Sequence, residues 1–220
     1  MKSDSKIQAD VMEELQWDPS IAHQAIGVSI KDGIVTLSGN VPTYAEKTRA
    51  EKAALRVAGV AAVVEHLVVK PSSSYERDDS DIARAAADNL SWNSLIPKQI
   101  KVTVNEGVVT LSGEVQWNYQ RETANSAVKN LMGVRQVKNL IRINTAQPSK
   151  DLGERIREAI HRAQHAPFGE VQVDVDGFTV TLRGKVKTFA EREAAEAAAW
   201  SAAGVKQVKD NIKIDHAGFL

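Results

Sequence analysis

The chain has 220 residues, of which 43% are hydrophobic and 25% are charged, a composition typical of a folded globular protein. Its 28 basic residues are balanced by 28 acidic residues that are mixed along the sequence, which disfavours binding to nucleic acid. The absence of cysteine excludes disulfides, thiolate chemistry and cysteine-ligated zinc.

The N-terminal sequence MKSDSKIQADVMEELQWDP has charges in every apolar stretch and lacks the apolar core of a signal peptide. The chain contains no stretch of 18 or more apolar residues, which predicts no transmembrane segment. We therefore expect a cytoplasmic protein, or a periplasmic one if an export segment has been removed.

Three segments of the sequence share one pattern: KDGIVTLSGNV ending at Val41, NEGVVTLSGEV ending at Val115 and VDGFTVTLRGKV ending at Val186. In every copy a further glycine lies 20 residues beyond the second glycine of the segment. It is followed by valine, and another valine stands three residues later. Self-similarity of this kind indicates three copies of one structural unit.

The first predicted element of each copy is a helix, because apolar residues recur every four positions. These residues are Ile7, Val11 and Leu15; Ile82, Ala86 and Leu90; and Leu152, Ile156 and Ile160. A strand follows, in which apolar side chains alternate with polar ones and so share one face of a half-buried sheet. These side chains are Ile26, Val28 and Ile30; Ile100, Val102 and Val104; and Val171, Val173 and Val175.

A turn with glycine then leads into a second β-branched strand, which predicts a hairpin, since glycine tolerates the positive φ of such turns. The turns are Asp32-Gly33, Glu106-Gly107 and Asp176-Gly177. The third copy has one extra residue between Gly177 and Gly184, which predicts a bulge or a shifted turn. Asp174-x-Asp176-Gly177 also resembles the start of a calcium loop, but the terminal Glu of that loop is missing, and we interpret it as a turn.

A second helix is predicted to begin at Thr43-x-x-Glu46 and at Thr188-x-x-Glu191, which are capping boxes, and at Asn118 in the middle copy. Small residues on one face of this helix allow a close approach to the sheet. A glycine ends the helix in a left-handed conformation, and a third strand follows. The glycines with predicted roles in turns and helix ends are Gly33, Gly39, Gly59, Gly107, Gly113, Gly133, Gly177, Gly184 and Gly204.

The predicted fold class is therefore α+β, with three small αββαβ modules in tandem. The modules span residues 1–70, 78–144 and 150–216, joined by polar linkers at 71–77 and 145–149 and followed by a tail at 217–220. A domain of this size buries only about 60% of its unfolded surface, so the copies are expected to support one another.

The combination of a first helix, the segment G-x-V-T-L-S-G-x-V, an alanine-rich helix and a closing G-V-x-x-V resembles the BON domain. This resemblance implies a three-stranded mixed sheet packed against two helices, and no catalytic activity. It also implies a role in osmotic stress tolerance or envelope integrity, and some members of the family bind phospholipid surfaces. Most characterised members are exported, whereas a cytosolic relative senses potassium.

Two tryptophans occupy equivalent places, with Trp17 and Trp92 each two residues beyond the last apolar residue of the first helix. Such indoles suit insertion among lipid headgroups, but tryptophan also dominates burial in small domains, and we expect them to cover the end of the core. Trp117 and Tyr119, in the loop before the second helix, are predicted to be the more exposed pair. All four residues are candidate ligand- or membrane-binding residues.

We find no catalytic residues and expect no cofactor and no metal site. His161 and His165 have metal-ligand spacing on a predicted helix, but no third ligand is apparent. The acidic residues never converge on a nucleophile or a phosphate-binding loop, so the chain is not expected to be an enzyme. The candidate partners are an anionic phospholipid surface or envelope protein and, alternatively, potassium bound by carbonyls at glycine turns; a protein-interaction scaffold is a third hypothesis.

Overall fold

The structure is a computed structural model that describes residues 2–74, 76–146, 148, 150–162 and 171–214. Six helices and nine strands in these ranges form three successive units with the order helix, strand, strand, helix, strand. The predicted α+β class with three tandem modules is confirmed. We refer to the units as modules 1, 2 and 3.

The elements follow the repeat of the sequence. Module 1 contains α1 (Asp4–Trp17), a short 3₁₀ turn (His23–Ala25), β1 (Ile26–Lys31), β2 (Ile34–Val41), α2 (Tyr44–Arg56) and β3 (Ala62–Val69). Module 2 contains α3 (Asp79–Trp92), β4 (Lys101–Asn105), β5 (Val108–Val115), α4 (Asn118–Lys129) and β6 (Gln136–Ile143). Module 3 contains α5 (Leu152–Arg162), β7 (Val171–Asp176), β8 (Thr179–Val186), α6 (Phe189–Trp200) and β9 (Gln207–Ile214).

Each module has its own three-stranded sheet with the second strand in the centre. In modules 1 and 3, the first two strands form an antiparallel hairpin, and the third strand pairs in parallel with the central one. A parallel pair needs a crossover connection, which the second helix supplies. These sheets are therefore mixed, with both outer strands at an edge.

The core of each described sheet lies between one sheet face and the two helices. In module 1, the apolar stripe of α1 packs with alternate residues of β2 and with alanines of α2, all of them buried. Module 3 repeats this arrangement with α5, β8 and α6. The equivalent central-strand leucines Leu37, Leu111 and Leu182 are fully buried. Small residues on the second helix let it lie close to the sheet.

Two compact units are distinguished along the chain. The first comprises residues 1–113 and 123–140, and the second comprises residues 114–122 and 141–220. The second unit therefore holds module 3 together with the start of α4 and the last residues of β5 and β6.

The hairpin turns differ between modules. Asp32-Gly33 and Glu106-Gly107 have positive φ at both residues, as a type I′ turn requires. In module 3 the turn residues are Gly177 and Phe178, since Asp176 pairs with Thr179.

Only Gly177 of this pair has a positive φ, as in a type II′ turn. The strands keep the register of module 1, with Val171 opposite Gly184 just as Ile26 lies opposite Gly39. The third copy thus has a shifted turn, and the predicted turn at Asp176-Gly177 and the alternative of a bulge are wrong.

The helix caps also show one departure from prediction. The hydroxyls of Thr43 and Thr188 accept hydrogen bonds from the N–H groups of Glu46 and Glu191, as predicted. In module 2, the side-chain oxygen of Gln120 accepts from the N–H groups of Gln116 and Trp117, and Asn118 is already the first helical residue. The expectation that Asn118 caps α4 is therefore wrong, because α4 begins at Asn118 itself and the cap position before it is held by Trp117.

Candidate functional site

Trp17 and Trp92 are the last residues of α1 and α3 and are 84% and 88% exposed. The expectation that they cover the end of the core is wrong. A residue two positions beyond the buried stripe lies about 200° around the helix from it, on the opposite face. Both indoles consequently stand in solvent at the same place in two modules.

The loop that follows each tryptophan is held by an Asx turn. The carboxylate of Asp18 accepts from the Ser20 N–H at 2.9 Å and from the Ser20 hydroxyl at 2.6 Å. The amide oxygen of Asn93 accepts from the Leu95 N–H at 3.0 Å. The hydrogen bond from the Ser20 hydroxyl, and to a smaller extent that from the Ser20 N–H, lower the pKa of Asp18 below its ordinary value of 3.8.

One buried side chain anchors each of these loops to its module. Ile21 and Ile96 are equivalent in sequence, and both are buried while the residues before them are exposed. In module 1, the buried carboxylate of Glu46 on α2 also accepts from the Ala22 N–H at 2.5 Å. The loops are thus anchored to the module core, and a fixed backbone holds each indole in position.

The residues around the two indoles differ in polarity. Leu95, one of the exposed large apolar residues, stands in module 2 where module 1 has Ser20. Arg56 of α2 forms a hydrogen-bonded ion pair with Glu14 of α1 at 2.9 Å, one turn before Trp17. The module 2 loop therefore presents more apolar surface, and the module 1 loop is flanked by charge.

Module 3 has no tryptophan at this position. Its counterpart is Arg162, the last described residue of α5, which pairs with Glu158 at 3.6 Å on an exposed helix face. The two exposed indoles of modules 1 and 2 are therefore not a requirement of the fold.

Trp117 and Tyr119 are 36% and 52% exposed, less than Trp17 and Trp92, so the predicted ranking of the two pairs is wrong. They line an open groove of about 910 Å³ together with residues of α6. The guanidinium of Arg121 lies 4.5 Å from the centroid of the Trp200 ring in the same groove. Trp200 is partly buried, since it also packs against the core of module 3. Trp17 and Trp92 belong to the first compact unit, and Trp117 and Tyr119 belong to the second.

The nine repeated glycines all have positive φ. At Gly39, where φ is 130°, a Cβ atom would come within 2.1 Å of the carbonyl oxygen of Ala25, so only glycine fits. The carbonyl oxygens of Gly33 and Gly107 accept from the N–H groups of Ala61 and Arg135, which join the turn to the segment before the third strand. These turn carbonyls are thus used in main-chain pairing.

Within the described ranges, no three His, Asp or Glu side chains are grouped so that they could hold a metal ion. His161 is exposed at the end of α5, and His165 lies outside the described residues. None of the described helices is long and apolar enough to cross a membrane.

A family model for the BON domain matches residues 3–71, 78–145 and 149–216. The chain therefore belongs to the BON domain family. It is 33% identical over 141 residues to Osmotically-inducible protein Y of Escherichia coli (strain K12). That match covers 62% of this chain and 70% of the relative. The resemblance inferred from the repeated motifs is confirmed.

The matches among solved structures include three distant ones. Two structures of CdsD, a structural protein of the type III secretion system of Chlamydia trachomatis, have TM-scores of 0.27. They are 16% and 15% identical and cover 96% and 98% of this chain, with 92% and 100% of their own chains covered. The PrgH periplasmic domain has a TM-score of 0.23 at 10% identity, over 93% of this chain and 99% of its own. Similarity at this level carries no structural or functional argument.

Proposed function

We propose that this protein is a non-enzymatic binding protein that docks on anionic phospholipid surfaces through the exposed indoles of modules 1 and 2, in a role related to osmotic stress. The observation that carries the proposal is the exposure of Trp17 and Trp92 at equivalent helix ends. An indole is amphipathic and favours the boundary between hydrocarbon and water.

The local structure supports this role. Each indole projects from a helix end, and the loop that follows is fixed by an Asx turn and by a buried isoleucine. Docking therefore does not require the loop to become ordered first. Preorganisation of this kind strengthens binding, because less conformational entropy is lost. Two such sites in one chain also give avidity to weak single contacts.

The comparisons support the physiological part of the proposal. The chain belongs to the BON domain family, and one relative is named for its osmotic induction. A stress role that involves contact with the envelope fits a chain that presents exposed aromatic residues.

Binding of potassium at the glycine turns has less support. The Gly33 and Gly107 carbonyl oxygens already accept main-chain hydrogen bonds at 2.9 Å and 2.8 Å. A monovalent cation would have to share these oxygens with the N–H donors.

Flotation of the intact protein with vesicles tests the proposal. We expect the wild type to float with vesicles of phosphatidylcholine and phosphatidylglycerol at low salt, with a blue shift of tryptophan emission. Trp17→Ser with Trp92→Ser should weaken binding roughly tenfold or more, because burial of a large apolar side chain contributes about 1.5–3 kcal/mol.

Leu140→Ser is the matched control, since Leu140 is 61% exposed but lies on a sheet face. It should bind as the wild type does. Wild-type protein that stays at the bottom of the gradient would contradict the proposal. Equal loss of binding in the double variant and in the control would contradict the role of the indoles.

A further inference from the structure

The sheets of modules 1 and 3 differ strongly on the faces that point away from the helices. In the central and third strands of these two modules, inward-facing residues alternate with more exposed ones, which form an outer face. On module 1, the outer face of β2 and β3 contains apolar and uncharged residues. They are Ile34, Thr36, Ser38, Asn40, Ala62, Val64, His66 and Val68.

Module 3 has four cations on the equivalent face. Arg183 and Lys185 lie on the central strand, and Lys209 and Lys213 lie on the edge strand, all exposed. In the parallel register, Asn211 lies opposite Arg183, between the two lysines of β9. We call these four residues the basic sheet face.

The fold does not require this charge. At the register positions of Lys185 and Lys213, module 1 has Asn40 and Val68, which support the same topology without charge.

The acidic residues of module 3 are largely placed elsewhere. Glu154 and Glu158 are on α5, and Glu193 and Glu196 are on α6. Two acids, Asp174 and Asp176, share the outer face but lie on β7 towards the hairpin turn. The end of the sheet away from the turn therefore carries the positive charge, although the whole chain has no net charge.

We propose that the basic sheet face of module 3 is a second docking surface, which contacts the phosphate groups of an anionic bilayer. This inference rests on the proposed membrane function, to which it adds an electrostatic contact separate from the indoles. A bilayer presents a plane of negative charge that four exposed cations on one sheet face complement. Each Lys or Arg near such a surface strengthens binding about fivefold at moderate salt.

Matched charge variants of the intact chain test the inference. The sheet variant combines Arg183→Gln, Lys209→Gln and Lys213→Gln. The helix variant combines Lys150→Gln, Arg155→Gln and Arg162→Gln, exposed cations on or beside α5, and changes the net charge equally. Flotation is measured with phosphatidylcholine vesicles with and without phosphatidylglycerol, over a salt series.

We expect the sheet variant to bind the anionic vesicles at least tenfold more weakly than the wild type, with a flatter salt dependence, and the helix variant to change by less than about threefold. Equal binding by the two charge variants would overturn the inference. If the tryptophan double variant loses binding while the sheet variant keeps it, the inference fails and the proposed function stands. If the wild-type protein binds none of the vesicles, both the inference and the proposed function are overturned. Binding to double-stranded DNA that the sheet variant loses, with vesicle binding unchanged, would also overturn it.

Discussion

In modules 1 and 2, an aspartate of the first helix binds the hairpin turn, whereas in module 3 an aromatic residue of the turn contacts a lysine. Asp4 accepts from the N–H groups of Asp32 and Gly33 at 2.9 Å and 3.2 Å. Asp79 accepts in the same way from Glu106 and Gly107 at 2.7 Å and 2.9 Å. In module 3, the Lys206 ammonium lies 3.9 Å from the centroid of the Phe178 ring.

The difference accompanies a shift in the position of one glycine. A type I′ turn directs two adjacent N–H groups at the start of the first helix, where an aspartate can accept both. In module 3, glycine occupies the first turn position, and Phe178 takes the second. The strand register is unchanged, so the fold tolerates two chemically different ways of holding one turn.

The largest expected effects test whether the cores of the three modules contribute equally to stability. Leu37→Ala, Leu111→Ala and Leu182→Ala each remove a fully buried side chain from a central strand. Each should destabilise its own module by about 2–5 kcal/mol, because a cavity adds to the lost transfer free energy. Amide hydrogen exchange resolved by segment measures the three losses. A cost below about 1 kcal/mol in module 3 alone would show that its core is packed less tightly.

A smaller effect separates the two ways of holding the turn. Asp79→Ala should destabilise the hairpin of module 2 by about 1 kcal/mol, because two N–H groups lose a charged acceptor. Lys206→Ala should cost about 0.5 kcal/mol in module 3, as is usual for an exposed cation–π pair. Faster exchange of the Glu106 and Gly107 amides reports the first change, and Asp88→Ala on the same helix is the control. Equal costs at Asp79 and Lys206 would remove the energetic distinction between the turns.

The smallest expected effect distinguishes modules 1 and 2 from each other. Asp18 and Asn93 hold equivalent Asx turns, but only Asp18 titrates. Its pKa is lowered in the folded protein, chiefly by the Ser20 hydroxyl. The stabilisation is therefore present above the ordinary pKa and is lost as the pH falls through the lowered value. Below about pH 4, the emission of Trp17 should change while that of Trp92 does not.

Single-tryptophan variants of the intact chain measure this difference. Asp18→Asn should remove the acid response of Trp17 and leave its exposure unchanged. An acid response of similar size at both indoles would show that Asp18 is not its origin.

The sequence was sufficient for features that depend on periodicity. The four-residue spacing of Ile7, Val11 and Leu15 predicts the buried stripe of α1, because burial follows the helical repeat. Thr43 and Thr188 likewise cap their helices as their local motifs indicate. In such cases neighbouring residues determine the result.

Sequence predictions fail where local geometry overrides a general preference. Tryptophan is usually buried, but the helical positions of Trp17 and Trp92 place them opposite the stripe. Asn118 is a good capping residue by type, but α4 begins at this residue, so Trp117 stands at the cap position. The basic sheet face could have been found by comparing the outward positions of the third strands, where Lys209 and Lys213 replace Val64 and Val68.

The edge position of the third strand has a consequence for how the chain assembles. Each hairpin can form from neighbouring residues, whereas the closing strand must return across a helix, which makes it a late, non-local step. The receiving strands read VTLSG in both modules 1 and 2, so β3 and β6 encounter two nearly identical partners while the chain is open. Exchange of such elements is the characteristic failure of tandem repeats. The central strand β8 reads VTLRG, so the third copy presents a different sequence to a pairing strand.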